Sequence, residues 1–346
     1  MTLLVYGAYG YSGELVASEA VDRGLDPVVA GRKHAEVGRV GTRLDCETRA
    51  FTVDDAEPHL ADVDVVLNCA GPFADTAEPL ADAALEAGAD YLDVTGEIPV
   101  FEALAGRDDA ASDADVTVLP GVGFDVVPTD CLAVHVADRL PDATHLALGF
   151  EPHGGLSPGT AATAVGQLGD GGAVRRDGRL VDVPPAHDDR RIDFGNGPRS
   201  AATIPWGDVS TAYRSTDVPN VAVYTPLPKN ARRAVRAAAR LGPLLSAVSL
   251  DDALQSLARR LVDGPDADER AVGRAYVWAE ARNEQTGETA VSRLVTPETY
   301  ALTVDAATTA AERALAGDAP PGYQTPATAY GADFVLDPDG VTRTDD

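Results

Sequence analysis

Hydrophobic and polar positions change period along the first 120 residues, where short β-branched runs alternate with alanine-rich amphipathic stretches. The runs predict strands at 3–6, 27–30, 50–53, 64–68, 91–94 and 116–119. The stretches between them predict helices over 11–23, 33–44, 76–86 and 100–112. Strands separated by helices favour parallel pairing with helices on both faces. The pattern therefore predicts an α/β fold that begins with a doubly wound parallel sheet, whose ligand binds at the carboxyl ends of the strands.

The pattern changes after residue 123. Helices are predicted over 129–140, 157–168, 231–249, 251–262 and 297–315, strands at 146–152 and 221–225, and a long hairpin over 271–295. This mixture predicts a second, α+β domain built on a mixed sheet. We expect a first domain over 1–125 and a second domain over 126–300. Residues 301–346 should form a C-terminal helix and tail that pack back on the first domain.

A glycine triplet follows the first predicted strand and opens the first helix. Gly7 permits a tight turn, Gly10 allows the backbone to approach a pyrophosphate, and Gly13 allows close packing of helix and strand. The helix N-terminus then offers free N–H groups to the phosphates. The placement predicts a Rossmann-type cofactor site at this turn, formed by Gly7, Tyr9, Gly10, Tyr11, Ser12 and Gly13.

The end of the second strand bears on the identity of the nucleotide. An acidic residue there would bind a ribose 2′-hydroxyl and favour NAD. Arg32 and Lys33 stand at this position instead. A guanidinium suits a phosphate and can stack on an adenine ring, so the pair favours NADP over NAD.

Two later strand ends complete the predicted cofactor site. Asp54 follows the third predicted strand, where its carboxylate could accept from the adenine amino group. Small residues after the fourth strand allow the ribose and nicotinamide to lie against the backbone, in the loop formed by Cys69, Ala70, Gly71, Pro72 and Phe73.

Four ionisable residues are candidates for acid chemistry or substrate binding at the same edge. Tyr91, Asp93 and Glu97 surround the end of the fifth strand, and Asp125 follows the sixth. Asp93 could equally cap the next helix. The six histidines and three cysteines show no metal-ligand spacing, so no metal is expected and the thiols should be free.

Charge excludes some partners. The chain has 55 acidic against 28 basic residues and a net charge of -27, which would repel nucleic acid and anionic membranes. Lysine occurs only at 33 and 229, and this composition suggests a halophilic protein in a salty cytoplasm. No signal peptide or membrane-spanning segment is predicted, so a cytoplasmic location is expected.

Several motifs resemble the saccharopine dehydrogenase-like oxidoreductase family, and within it the trans-acting enoyl reductase branch. They are GAYGYSG at 7–13, AGR at 30–32, NCAGPF at 68–73, YLDVTGE at 91–97, PGVGFDVVPTD at 120–130, SPGTAAT at 157–163 and GYQTPA at 322–327. Pro158 departs from the pattern of that branch. The resemblance implies nicotinamide chemistry on the carbonyl, imine or activated C=C bond of a small molecule. It also implies that residues 1–125 form an NAD(P)-binding Rossmann domain and that residues 126–300 bind the substrate and make oligomer contacts, which allow a homodimer. The branch suggests a lipid-like substrate by analogy alone.

Three other functions are compatible with parts of the sequence to different degrees. A short-chain dehydrogenase needs a Tyr-x-x-x-Lys pair, and neither lysine has that spacing from a tyrosine. A non-catalytic NADP-binding regulator would keep the same glycine turn and stays open. The arginine-rich stretch 231–241 could lie on a membrane surface, but a solvated helix face is favoured.

Overall fold

The computed structural model describes residues 1–153, 171–233, 235–236 and 265–346, and these divide into two compact units. Unit 1 comprises Met1–Val127 and Tyr300–Pro338, and unit 2 comprises Pro128–Thr299 and Asp339–Asp346. The predicted helices over 157–168 and 251–262, and that over 231–249 beyond residue 236, lie outside the described residues. Within the described ranges, no helix is long and apolar enough to cross a membrane.

Unit 1 is built on a seven-stranded, wholly parallel sheet. Its strands are β1 Leu3–Tyr6, β2 Val28–Gly31, β3 Thr48–Ala50, β4 Val65–Asn68, β5 Asp90–Asp93, β6 Thr117–Leu119 and β15 Gly322–Tyr323. Its helices are α1 Tyr11–Asp22, α2 His34–Leu44, α3 Phe73–Ala87, α4 Ile98–Ala105, α5 Asp108–Asp113, α9 Thr299–Leu315 and α10 Pro326–Tyr330. Helix α6, Val127–Arg139, begins at Val127, where the first segment of this unit ends, and the rest of α6 belongs to unit 2. The order β15-β6-β5-β4-β1-β2-β3 places β1 between β4 and β2. Topology thus brings the ends of the strands that carry the predicted cofactor residues to one edge.

Two predicted elements of unit 1 differ from the structure. The third strand was predicted at 50–53, but β3 ends at Ala50 because its pairing partner β2 ends at Gly31. The chain then forms short 3-10 helices at Val53–Asp55 and Glu57–His59, with Pro58 unable to donate to a ladder. The helix predicted over 100–112 is two helices, α4 and α5, separated at Gly106 and Arg107.

In unit 2, the described strands form a nine-stranded mixed sheet. They are β7 His145–His153, β8 Gly172–Arg176, β9 Arg179–Val183, β10 Asp189–Asp193, β11 Pro198–Ile204, β12 Asn220–Pro226, β13 Arg274–Arg282, β14 Thr289–Pro297 and β16 Thr342–Asp345. The main order is β10-β11-β12-β7-β13-β14-β16, and β8 pairs with both β12 and β9. Only β12 and β7 pair in parallel. Helices α7 Asp208–Thr216 and α8 Ala267–Val272 also belong to this unit. The predicted α/β class with a second, mixed-sheet unit is confirmed.

The stretch 171–230 contains five strands, although only 221–225 was predicted explicitly as one. Strands β8 to β11 are short, rich in charged residues and joined by glycine and aspartate turns. Their side-chain pattern is therefore typical of loops, and pairing with neighbouring strands decides their conformation.

Candidate functional site

The glycine turn is shaped by contacts that a larger residue would obstruct. The N–H groups of Gly7 and Ala8 donate to the carbonyl of Ala30, at 2.9 and 3.2 Å, which ties the turn to β2. Gly7 has φ +81°, and a Cβ there would lie 2.8 Å from that of Ala70. A Cβ on Gly13 would lie 2.3 Å from the Gly7 carbonyl oxygen. Both positions therefore require glycine.

The N-terminus of α1 has no side-chain cap. Its N-cap is Gly10, which cannot supply a capping side chain, and no such hydrogen bond is made. Tyr11 and Ser12 open the helix and are partly exposed. The Tyr11 ring meets that of Tyr300 edge-on, with centroids 5.0 Å apart. An uncapped helix start beside a glycine turn is suited to bind an anion.

Tyr9 packs over the end of β2. A Cβ on Gly31 would lie 2.6 Å from Cε1 of the Tyr9 ring, so glycine makes room for this ring. The Lys33 ammonium stands 5.8 Å from the centre of the same ring. The turn after β1 and the cationic pair after β2 therefore adjoin each other.

Arg32 and Lys33 are exposed and form no ion pair within unit 1, whose residues are all described. Every other arginine of the unit is paired with at least one carboxylate, as seen for Arg23, Arg39, Arg43, Arg49, Arg107 and Arg313. In a chain with 55 acidic residues, two adjacent cations without a carboxylate partner stand out. Their charge is available to a ligand.

Asp54 lies on the 3-10 helix Val53–Asp55 and is exposed, rather than following directly from a strand. It contributes to the environment of Tyr6, whose phenol donates to the carbonyl of Phe51 at 3.1 Å. Burial raises the pKa of Tyr6 to about 12, with further increases from Tyr9 and Asp54 and an opposing effect of Arg32. The pKa of Tyr6 therefore depends on ionisable groups in three of the segments predicted to hold the cofactor.

The loop after β4 is held by the buried side chain of Asn68. Its Oδ1 accepts from the Ala70 N–H at 2.9 Å, while its Nδ2 donates to Thr76 and Tyr91, at 3.1 Å in each case. The Thr76 hydroxyl donates to the Ala70 carbonyl at 2.6 Å. Asn68 and Thr76 are therefore supporting residues that the sequence-based prediction missed, although Asn before a run of small residues is a known turn signal.

Within this loop, the five predicted residues differ in exposure. Gly71 and Pro72 are exposed, whereas Cys69, Ala70 and Phe73 are partly buried. Burial and the nearby Asp93 raise the pKa of the Cys69 thiol to about 12. Cys46, Cys69 and Cys131 are not joined in disulfides. Among the described residues, no cluster of His, Cys, Asp and Glu could hold a metal ion.

Tyr91 and Asp93 are fully buried and hydrogen-bonded to each other. The Tyr91 hydroxyl donates to Oδ2 of Asp93 at 2.9 Å, and Oδ1 accepts from the N–H groups of Thr95 and Gly121, both at 2.9 Å. Burial raises the pKa of Asp93 to about 6, against the lowering effect of these hydrogen bonds. The pair fastens the end of β5 to the loop after β6.

Glu97 caps helix α3. Its two carboxylate oxygens accept from the N–H groups of Phe73 and Ala74, at 2.9 and 3.0 Å. A carboxylate at a helix N-terminus is stabilised by these donors and by the helix dipole. Glu97 therefore holds the end of the Cys69–Phe73 loop where α3 begins.

Asp125 differs from the other three candidates. Its carboxylate is half-buried and makes no hydrogen bond or ion pair with any residue of the described ranges. It lies against Gly96, where an added Cβ would come within 3.1 Å of its Oδ2. Burial alone raises its pKa to about 7. Asp125 is thus a half-buried carboxyl at this edge that titrates near neutrality. It has no hydrogen-bond or ion-pair partner among the described residues.

A parallel sheet of this order, with a glycine turn after β1, defines the class of dinucleotide-binding domains. Residues 3–119 match the family described as the saccharopine dehydrogenase NADP binding domain. The resemblance predicted from the sequence is confirmed by this match.

The chain is also similar to two curated relatives and to one solved structure. The human saccharopine dehydrogenase-like oxidoreductase is 27% identical over 212 residues, which cover 53% of this chain and 49% of that protein. A trans-acting enoyl reductase homologue of Mycobacterium tuberculosis is 30% identical over 182 residues, covering 46% and 42% of the two chains. The chain thus spans about half the length of the curated relatives it matches. Apo saccharopine dehydrogenase (L-Glu forming) from Saccharomyces cerevisiae shares the fold, with a TM-score of 0.63, 14% identity and coverage of 100% of this chain and 99% of that one.

Proposed function

We propose that this protein is an NADP-dependent oxidoreductase that transfers hydride to a carbonyl, imine or activated C=C bond of a small molecule. The observation that carries the proposal is the cationic pair Arg32 and Lys33, the only cationic side chains of unit 1 without a carboxylate partner. A 2′-phosphate is a ligand that would neutralise such a pair, whereas the 2′-hydroxyl of NAD would not.

The residues present fit the cofactor in three further respects. The uncapped N-terminus of α1 would bind the pyrophosphate, and Gly7 and Gly13 keep the backbone free of side chains that would block the turn. Asp54 would bind the adenine amino group, and the loop Cys69–Phe73 would contact the ribose and nicotinamide. When bound, NADPH supplies the hydride.

Asp125 is the proton donor in this proposal. Reduction of a polarised double bond needs a proton as well as a hydride, and an acid with a pKa near the working pH is well matched to that task. Its pKa of about 7 leaves a protonated fraction at neutral pH. Tyr91, Asp93 and Glu97 would act as positioning residues, because their polar atoms are already used to hold the loops.

The substrate class rests on analogy. The name of the mycobacterial relative supports an activated C=C bond, and a lipid-like enoyl compound is the first substrate to test. A purely regulatory NADP-binding protein would bind the cofactor and never oxidise it, so turnover separates the two functions.

The cofactor proposal is tested by fluorescence titration of NADPH and NADH. Arg32→Gln and Lys33→Gln should each weaken NADPH binding about ten-fold or more, as expected for the loss of a charge-assisted hydrogen bond, and leave NADH binding unchanged. Arg39→Gln is the matched control, because Arg39 is also exposed in unit 1 but is paired with Glu14 and Glu36. Equal effects on NADPH and NADH, or an equal effect of the control, would contradict the assignment.

A further inference from the structure

Unit 2 contains a cavity of about 580 Å³ on one face of its mixed sheet, and none of its lining residues belongs to unit 1. This volume suits a small organic molecule. The lining includes four arginines and two histidines but only two carboxylates, in a chain with a net charge of -27. Positive charge is therefore concentrated in this cavity.

Strand register arranges the cationic groups in one row. His145 of β7 is paired with Arg282 of β13 on one side and with Asn220 of β12 on the other. Arg175 of β8 is paired with Val221, which sets the next residue, Arg176, level with Asn220. Paired residues share a face of the sheet, so Arg176, His145 and Arg282 border the same end of the cavity.

The next row on this face is small and apolar. Ala222 of β12 is paired with Ala147 of β7, and Val174 of β8 lies level with them. These side chains form a floor beside the cationic row. Beyond it, both carboxylates of the lining are occupied: Glu280 binds Arg190 through two bonds of 2.9 and 3.0 Å, and Asp188 accepts from the Tyr224 hydroxyl at 2.9 Å.

The cationic row is only loosely neutralised by the protein. The Thr144 hydroxyl engages Nδ1 of His145 at 2.9 Å, which leaves Nε2 toward the exposed carboxylate of Glu284 at 3.8 Å. Arg282 lies 3.5 Å from the same carboxylate. Both distances exceed those of good charge-assisted hydrogen bonds. Arg176 donates to the neutral acceptor Nε2 of His187 at 2.8 Å.

We propose that this cavity binds a small organic anion, whose carboxylate or phosphate group is held by Arg176, His145 and Arg282 while its apolar body lies on Ala147 and Ala222. Glu284 is then an internal competitor that the ligand displaces from His145 and Arg282. None of these residues belongs to the unit that carries the predicted cofactor residues, and the test of this proposal requires no cofactor.

Isothermal titration of the full chain with citrate and with pyrophosphate, at one moderate ionic strength, tests the proposal. We expect saturable binding of one probe per chain, and the probe that binds more tightly distinguishes a carboxylate from a phosphate site. Arg176→Gln and Arg282→Gln should each weaken binding about ten-fold, since each removes a charged hydrogen-bond donor. Glu284→Gln should strengthen binding, because it removes the competitor, and a misfolded variant would not show this gain.

Arg274→Gln is the control, because Arg274 is exposed on the same strand as Arg282 but at its other end and outside the cavity. It should leave binding unchanged. Absence of saturable binding of both probes up to about 10 mM would overturn the proposal. So would an Arg274→Gln effect equal to that of Arg282→Gln, or a loss of affinity in Glu284→Gln.

Discussion

Replacing Asp125 with asparagine should stabilise the protein strongly at alkaline pH and much less in mild acid. Burial is the sole cause of the raised pKa of this carboxyl, about 7 against an ordinary 3.8. The folded state therefore binds the proton more tightly than the unfolded state does. Wild-type stability should fall as the pH rises from about 4 to about 7 and then level off. Asparagine is isosteric with the protonated acid and carries no charge to desolvate.

The magnitude follows from the difference between the two pKa values. Each unit corresponds to about 1.4 kcal/mol, so a shift from 3.8 to about 7 gives roughly 4 kcal/mol in full. Of this, about 3 kcal/mol falls between about pH 5 and about pH 8. These values are upper limits, because Asp125 is only half-buried and water solvates part of the carboxylate.

The assay is urea unfolding followed by circular dichroism at about pH 5 and about pH 8, at one salt concentration. Asp109→Asn is the control, because Asp109 is exposed on α5 and its replacement removes the same charge. The reasoning fails if Asp125→Asn changes the free energy of unfolding equally at both pH values. A separate readout concerns function: the variant should keep NADPH affinity and lose turnover if Asp125 donates the proton.

Two further predictions concern the glycine turn and the connection of α1 to α9. Gly13→Ala should lower both NADPH affinity and stability, because its Cβ would lie 2.3 Å from the Gly7 carbonyl oxygen. Gly38→Ala, with no atom within 4 Å of the added Cβ, should be neutral or stabilise α2 by about 0.5–1 kcal/mol, and destabilisation equal to that of Gly13→Ala would contradict the steric argument. Arg23→Met should destabilise the protein by roughly 2–3 kcal/mol, since Arg23 binds Glu19, Asp305 and Glu312 at 2.8–3.1 Å and is three-quarters buried. Arg39→Met should cost under about 1 kcal/mol in the same urea unfolding assay, and equal losses for the two variants would show that the three-carboxylate cluster does not matter.

The local pattern of hydrophobic and polar residues was sufficient to predict most strands of the parallel sheet. Strands β1, β2, β4, β5 and β6 are short hydrophobic runs bounded by glycine, asparagine or aspartate, and their predicted positions agree with the structure to within about two residues. The third strand was misplaced because a long-range partner sets its end: β2 stops at Gly31, so pairing stops at Ala50. The strands β8 to β11 escaped prediction for a related reason, since partners rather than composition determine them.

The cofactor residues could be named from the sequence because they depend on the backbone. A glycine turn and a strand end occupy fixed places in a βαβ unit, so Gly7, Gly13 and Arg32 follow once the strands are found. Candidates for acid chemistry depend on side-chain direction and hydrogen-bonding partners that are distant in sequence. Asp93 meets Gly121, and Glu97 meets Phe73, contacts that no spacing rule provides.

The hydrogen bonds also explain why three neighbouring acids have different capacities for chemistry. Asp93 and Glu97 each accept from two backbone N–H groups, and protonation would weaken those bonds and release the loops that they fasten. Asp125 has no such bonds to lose, so it can exchange a proton without any other element moving. A carboxyl that both titrates near neutrality and is free of structural bonds satisfies the two requirements of a proton donor. If a Glu97→Gln variant abolished turnover without loosening α3, this division between positioning and proton-donating carboxyls would be wrong.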